Sequence, residues 1–407
     1  MMAVMTVDPF ACDDAELGEI LDGEPAYRVR QLRGWLQRGV DDPQEMTDLP
    51  AALRARLAGR LDPPGRVLAH RTADGGQTHK LLLELGATDA AGSATGADAT
   101  QGAGSPAAEA IEAVLMGYPR TAERAGRATV CVSTQAGCAL GCPFCATGQA
   151  GFHRQLRVGE IVRQVTALQR RLREGAIAIP GVPDHVTNVV FMGMGEPLAN
   201  VEATVAAIRW LHDPERGLGL SARSITVSTV GLVPGIARLT ELGLPITLAV
   251  SLHAPTDALR DDLVPVNRQF GLDALLRACR AHQEATGRRM TFEYILIDGV
   301  NAQRAHAEQL AALLTRRDAP RVAHVNLIPM NPTPAVPWHA PPLRQQQEFA
   351  AVLQQAGLPA TVRRNRGGDI DAACGQLYAE QRLGSGRLLP AAQQAWERWP
   401  IQLEAKP

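Results

Sequence analysis

The sequence predicts an α/β protein built around a parallel sheet, and three observations carry that prediction. Between residues 128 and 328, six short apolar runs alternate with stretches of helical spacing, the pattern of strands joined by crossover helices. Ahead of them, residues 15–60 carry helical periodicity and 66–116 carry strand-like runs. The 407 residues are 45% hydrophobic but only 4% aromatic, so a sizeable core is affordable in length but must rest on Ala, Leu and Val.

In the first segment Leu17, Ile20 and Leu21, then Val29, Leu32, Trp35 and Leu36, then Leu49, Leu53 and Leu57 recur at helical spacing. Arg28, Arg30, Arg33, Arg38, Arg54, Arg56 and Arg60 decorate these helices, and a solvated charged face is the plain reading. Between 66 and 86 the pattern turns to strands, with Asp74-Gly-Gly as a turn and Lys80-Leu-Leu-Leu-Glu-Leu as a buried run. Gly86 to Ala108 is nearly all Ala, Gly, Ser, Thr and Asp; it has too little apolar bulk to pack and reads as a flexible insertion. Alternation resumes at Ile111-Glu112-Ala-Val-Leu-Met116, so the insertion lengthens a hairpin tip, where closure entropy grows slowly with length. Strands are then expected at Ala128–Ser133, Val186–Met192, Ser224–Thr229, Ile246–Ser251, Thr291–Ile297 and Val322–Ile328, with helices beginning at Val158, Val201, Pro234, Leu272 and Ala302.

Lys plus Arg number 41 against 42 Asp plus Glu, a balance that argues against a blanket nucleic-acid-binding surface while leaving room for local basic patches. Seven cysteines, four of them near one loop, do not form a disulfide framework. The N-terminus lacks the charged start and long apolar run of a signal peptide, and no stretch approaches membrane-spanning length. A cytoplasmic location, where thiols stay reduced, is expected.

The chemistry centres on Cys138-Ala-Leu-Gly-Cys142-Pro-Phe-Cys145. Three cysteines within eight residues, flanked by Gly137 and Gly141, can turn their thiolates toward one point. Structural zinc closes its shell with four protein ligands, whereas an iron–sulfur cluster held by thiolates can leave one iron to another ligand. With no further Cys or His at close spacing, a [4Fe–4S] site with one open iron is favoured over zinc or a buried apolar cysteine group. After the second strand comes Met192-Gly-Met-Gly195-Glu196-Pro197, by itself a plain turn. Ser228 ends the third strand and Ser251-Leu252-His253 the fourth; His253 alone reads as a structural histidine. In Arg366-Gly-Gly-Asp-Ile-Asp371-Ala-Ala-Cys374, Cys374 is equally buried filler or a nucleophile. Cys12 and Cys279 match no motif and read as structural.

The cysteine spacing and its surroundings, Cys131-Val-Ser-Thr-Gln-Ala-Gly-Cys138 through Gly148-Gln-Ala-Gly-Phe152, resemble the radical S-adenosylmethionine (SAM) superfamily. Within it the chain resembles the enzymes that methylate adenosine at carbon 2 in 23S rRNA and in some tRNAs, over residues 15 to 385 with an interruption at 88–108. The resemblance implies a partial (β/α)6 radical SAM barrel with an N-terminal helical accessory domain and a C-terminal reactive-cysteine loop. It divides the chain into an RNA-recognition domain (1–65), a hairpin linker with its insertion (66–123, 86–108), the radical SAM core (124–367) and a methyl-cysteine segment (368–407). It implies Cys138, Cys142 and Cys145 as cluster ligands, and Gly195, Glu196, Ser228, Ser251, Leu252, His253 and Asn331 as SAM contacts. Cys374 would be the methyl-accepting cysteine, Cys131 its transient partner, and Glu112 a proton acceptor. The N-terminal arginines, Arg30 and Arg33 among them, would grip RNA backbone. The implied partners are 23S rRNA, tRNA and a flavodoxin-type or other one-electron reductant, with the chain as a monomer and no membrane. Two rivals stand beside this reading: an adenine-C8 methyltransferase of the antibiotic-resistance type, and a non-catalytic iron–sulfur RNA-binding factor.

Overall fold

The computed structural model describes residues 6–84, 110–363, 366–373 and 375–377; the expected insertion at 86–108, Cys374 and the chain beyond 377 lie outside the described residues. Three short helices come first: α1 (Asp14–Ile20), α2 (Tyr27–Gln37) and α3 (Ala51–Ala58). The start of α1 is fixed by a capping box, in which the Asp13 carboxylate accepts from the Ala15 and Glu16 amides while Glu16 accepts from the Asp13 amide. Leu17, Ile20, Leu32, Leu36, Leu53 and Leu57 are buried between the three, as their spacing predicts.

The arginines of this unit do not form one set. Arg33 is only 4% exposed and donates to the carbonyls of Pro9 and Cys12 and to the Asp14 carboxylate. It is an internal tie and not a phosphate contact, which corrects the expectation that Arg33 grips RNA. Helical spacing places it beside Leu32 and Leu36, but its acceptors come from a segment some twenty residues away, which only the tertiary fold supplies. Arg54 and Arg60 likewise donate to the carbonyls of Gln44 and Ile20, whereas Arg30 is exposed.

Strands β1 (Arg66–Ala73), β2 (Thr78–Glu84) and β3 (Ala110–Tyr118) form an antiparallel meander. Next, β3 pairs antiparallel with β4 (Arg127–Cys131). A small antiparallel pair, β5 (Gln135–Gly137) and β6 (Phe152–Gln155), brackets the cysteine loop. The main sheet continues with β7 (Asn188–Phe191), β8 (Ile225–Thr229), β9 (Thr247–Ser251), β10 (Met290–Leu296), β11 (Ala323–Pro329) and β12 (Ala360–Val362). Among the described residues ten strands thus make one sheet, β1-β2-β3-β4-β7-β8-β9-β10-β11-β12, in which β4 and its successors are mutually parallel. The six expected parallel strands are present. The short β12 is additional, and three residues are too few to leave a periodic trace in sequence.

Helices α4 (Ala146–Ala150), α5 (Val158–Arg173), α6 (Val201–His212), α7 (Val233–Thr240), α8 (Asp257–Leu263), α9 (Leu272–Thr286), α10 (Arg304–Leu314) and α11 (Leu343–Gln355) accompany the parallel strands. Val162, Val165 and Leu168 of α5, Ile208 and Leu211 of α6 and Leu275 and Leu276 of α9 are buried. Burying a side chain of this kind stabilises by about 1.5–3 kcal/mol. The N-terminal helical unit docks on α5 and α6 through polar contacts and an aromatic edge. Asp8 accepts from the Gly159 amide at 2.6 Å, Arg163 pairs with Asp41 at 2.6 Å, and Phe10 meets Trp210 edge-on at 5.4 Å. Gly39 sits where a Cβ would lie 2.2 Å from the Thr166 carbonyl oxygen, so this contact requires glycine. Cys12 and Cys279 are buried, as expected of structural cysteines. No helix among the described residues is long and apolar enough to cross a membrane.

Candidate active site

The loop after β5 turns twice on left-handed glycines, Gly137 (φ 76°) and Gly141 (φ 64°), conformations that glycine adopts without a Cβ penalty. Helix α4 packs beneath it, and a Cβ on Gly148 would stand 3.0 Å from both the amide nitrogen and the carbonyl oxygen of Cys142. The loop therefore directs Cys138, Cys142 and Cys145 into one cavity, which Gly195, Glu196, Ser228, Ser251 and His253 also line. Leu252 and Asn331 are buried but are not among its lining residues.

Strand register explains why residues so far apart meet, because paired residues project from the same face of a sheet. Cys131 lies beside Val114 and Val190, and Val190 lies beside Thr226, two residues before Ser228. Ser228 lies beside Ala249, two residues before Ser251; Ser251 lies beside Glu293, and Glu293 beside Asn326. Cys131, Ser228, Ser251, Glu293 and Asn326 thus share one face, the face that carries the cavity. Glu112 and Lys80 join it from β3 and β2 through Val114.

Burial sets the electrostatics. It pushes the Cys138 thiol up to about 12 and raises Cys142 well above the ordinary thiol value, so thiolates here call for a cationic centre to offset their charge. Among the described residues no three Cys, His, Asp or Glu side chains gather closely enough to chelate a single metal ion, while the three thiols share one cavity wall. Three cysteine sulfurs lining one cavity are a donor set that fits an iron–sulfur cluster held by thiolates. Glu196 is raised to about 7 by burial, against the opposing pull of the Val230 and Leu198 amides and the Thr229 hydroxyl. Its Oε2 accepts from Val230 at 2.9 Å and its Oε1 from Leu198 at 3.0 Å. His253 adopts φ 61°, and its Nδ1 accepts from the Ile295 amide at 3.0 Å, which places the ring proton on Nε2. Burial and then the nearby Arg260 guanidinium lower it to about 3, so it is a neutral donor.

Several polar residues escape a sequence reading. Glu293 lines the cavity, is 4% exposed, accepts from Asn326 at 2.9 Å and lies 3.5 Å from Arg363, another lining residue. An acid inside the apolar run of β10 is the one signal that could have flagged it. Arg260 is fully buried and donates to the carbonyls of Leu252, Ser251 and Val230 and to Asn267, tying the ends of β8 and β9. Glu112 is likewise not solvated: it is 4% exposed and pairs with Lys80 at 2.9 Å.

The C-terminal loop reaches the cavity beside α4. Gly375 and Leu377 line it, and their carbonyls accept from the Ala146 amide and the Thr147 hydroxyl. Earlier in the loop, Gly367 donates to Asp74 at 3.0 Å and Arg366 to the Gly117 carbonyl at 2.8 Å. Cys374 lies between these anchored segments in sequence but outside the described residues.

A family model described as the radical SAM superfamily matches residues 132–311. The probable dual-specificity RNA methyltransferase RlmN of Kineococcus radiotolerans is 48% identical over 363 residues, 88% of this chain and 85% of the relative. The protein of the same name from Parafrankia sp. is 49% identical over 373 residues, 89% of each. A crystal structure of a radical SAM methyltransferase from Sphaerobacter thermophilus superposes with a TM-score of 0.78 at 46% identity, covering 91% of this chain and 99% of that one. At this identity and coverage, with the three-cysteine loop set at the mouth of a parallel α/β sheet, the chain belongs to the RlmN-type radical SAM RNA methyltransferase family.

Proposed function

We propose that the protein methylates carbon 2 of an adenosine in 23S rRNA, and of adenosine in some tRNAs, through a methylated cysteine and with two SAM per turnover. The observation that carries this reading is the single sheet face on which Lys80, Glu112, Cys131, Ser228 and Ser251 sit together, with three cysteines lining the cavity on that face. The relatives named dual-specificity RNA methyltransferases support RNA as substrate and two RNA classes as targets.

Carbon 2 of adenine is electron-poor and has no lone pair to attack a methyl sulfonium, so polar transfer to it is closed. Cys138, Cys142 and Cys145 would hold a [4Fe–4S] cluster by three thiolates. Gly195 and Glu196 would receive the amino group of SAM, with Ser228, Ser251, Leu252, His253 and Asn331 completing its pocket. When bound, the cluster and SAM supply one-electron cleavage of the sulfonium, giving a carbon radical able to take hydrogen from a methyl thioether. Cys374, as thiolate, displaces the methyl group of one SAM, releasing S-adenosylhomocysteine; that methyl becomes the carbon joined to the base. Joining that carbon to the base leaves one unpaired electron, which a one-electron acceptor must take, a part the oxidised cluster would play, and Glu112 accepts the proton lost from carbon 2. Cys131 thiolate attacks the Cys374 sulfur, breaking its bond to the new carbon; the electron pair goes to that carbon, which takes a proton to become methyl. The resulting disulfide is reset by an external thiol. The target adenine must leave its stack to enter such a cavity, and a flavodoxin-type or other one-electron reductant completes the cycle.

The test is anaerobic reconstitution with iron and sulfide, then incubation with reductant, SAM and a 23S rRNA fragment, with mass spectrometry locating the methyl on the base. Carbon 2 is expected; a methyl at carbon 8 overturns the regiochemistry, and SAM left uncleaved overturns the enzyme reading. Cys374→Ala should abolish methylated RNA, and Cys131→Ala should trap a covalent enzyme–RNA adduct. Wild-type methylation by either variant contradicts the cysteine roles.

A further inference from the structure

We propose that Lys80 is a positioning residue of this reaction, its buried ammonium aligning the Glu112 carboxylate and fastening it to the loop that leads to Cys374. The inference rests on the function proposed above and adds a residue to it. In the antiparallel register Lys80 stands opposite Val114, Leu82 opposite Glu112, and Cys131 opposite Val114. Glu112 is therefore the diagonal neighbour of both Lys80 and Cys131 on one face, within reach of long side chains. The Lys80 Nζ lies 2.9 Å from Glu112 Oε1 and donates to the Asp371 carbonyl at 3.3 Å. Both side chains are nearly sealed from water, at 7% and 5% exposure.

Taking an ammonium and a carboxylate out of water is costly, and a well-packed apolar pair serves stability as well or better. The pair therefore points to work beyond holding the sheet together. The ammonium, 2.9 Å from Oε1, limits the carboxylate's rotation and fixes its direction. By donating also to Asp371, three residues before Cys374 in sequence, it couples the acceptor to the reactive segment. The step served is proton removal from the base: the C–H bond breaks, its electron pair stays in the ring, the unpaired electron left by radical addition passes to a one-electron acceptor, a part the oxidised cluster would play, and the proton passes to Glu112. Docking of the loop has further ties, among them Gly367 to Asp74, Arg366 to the Gly117 carbonyl and the Gly375 and Leu377 carbonyls to Ala146 and Thr147, so loss of the ammonium should leave the loop in place.

The experiment compares Lys80→Met, Lys80→Gln and Lys80→Arg with the wild type, each full-length, reconstituted and given reductant, SAM and the rRNA fragment. The Met and Gln variants should form methylated RNA about tenfold or more slowly, the scale of general-base catalysis. SAM cleavage should continue near the wild-type rate, and a covalent protein–RNA species should accumulate on denaturing gels. Lys80→Arg should recover a substantial part of the product. If the Met variant fails to fold or to hold iron, the Gln variant carries the same expectations. Product and SAM cleavage falling together, an Arg variant no better than Gln, or wild-type product from Gln each overturn the inference. A wild type that leaves adenosine carbon 2 unmethylated overturns the proposed function instead.

Discussion

Glu196 offers a prediction whose size follows from where it sits. Its carboxyl, 3% exposed behind the cysteine loop, is raised by burial from an ordinary 4.5 to about 7. A carboxyl whose folded value is raised favours the folded state when protonated, so its contribution is fully present below about 4.5 and is lost as pH rises through about 7. At about 1.4 kcal/mol per pH unit the whole effect is about 3 kcal/mol, of which about 2 kcal/mol falls between pH 5.5 and 8. Glu196→Gln cannot ionise and lacks this dependence. It also presents an amide where a backbone donor now points, but that cost is independent of pH. Urea unfolding of both proteins, cluster-free and reduced, at several pH values isolates the difference. The stability gap should shift toward the Gln variant by about 2 kcal/mol as pH rises across that range. A gap that stays flat refutes the account of a desolvated carboxyl awaiting a cationic partner, since only burial makes its ionisation expensive here.

Two other perturbations follow from the geometry. Gly195 has φ 93°, and an added Cβ would lie 2.4 Å from the Cβ of Gln135, whose Oε1 accepts from the Glu196 amide at 2.8 Å; Gly195→Ala should cost about 2 kcal/mol or more and weaken SAM binding, and unchanged melting with unchanged SAM affinity contradicts this. Charge reversal separates the N-terminal arginines: Arg33→Glu should destabilise by about 3 kcal/mol or more, whereas Arg30→Glu should leave the melting temperature unchanged, weaken RNA binding and flatten its salt dependence. Salt-titrated binding and thermal melts of the two variants check it, and the reverse pattern refutes the division.

The sequence by itself determined the alternation of strands and helices, because period and composition act locally and survive without the fold. It also singled out the three-cysteine loop, since three thiols in eight residues are a donor set, and, only through the family resemblance, the strand-end residues Ser228, Ser251 and His253, which the sheet brings to one cavity. The tertiary structure alone decided that Arg33 is an internal tie, that Glu112 is sealed against Lys80, and that Glu293 and Arg363 line the same cavity, with Asn326 donating to Glu293. Each of these depends on a partner from a distant segment, Asp14 for Arg33, β2 for Glu112, and Arg363 for Glu293. The sequence lists charges along one dimension, whereas burial and pairing are fixed only when register sets one strand against the next and makes the low-dielectric surroundings in which a charge must find its counterpart.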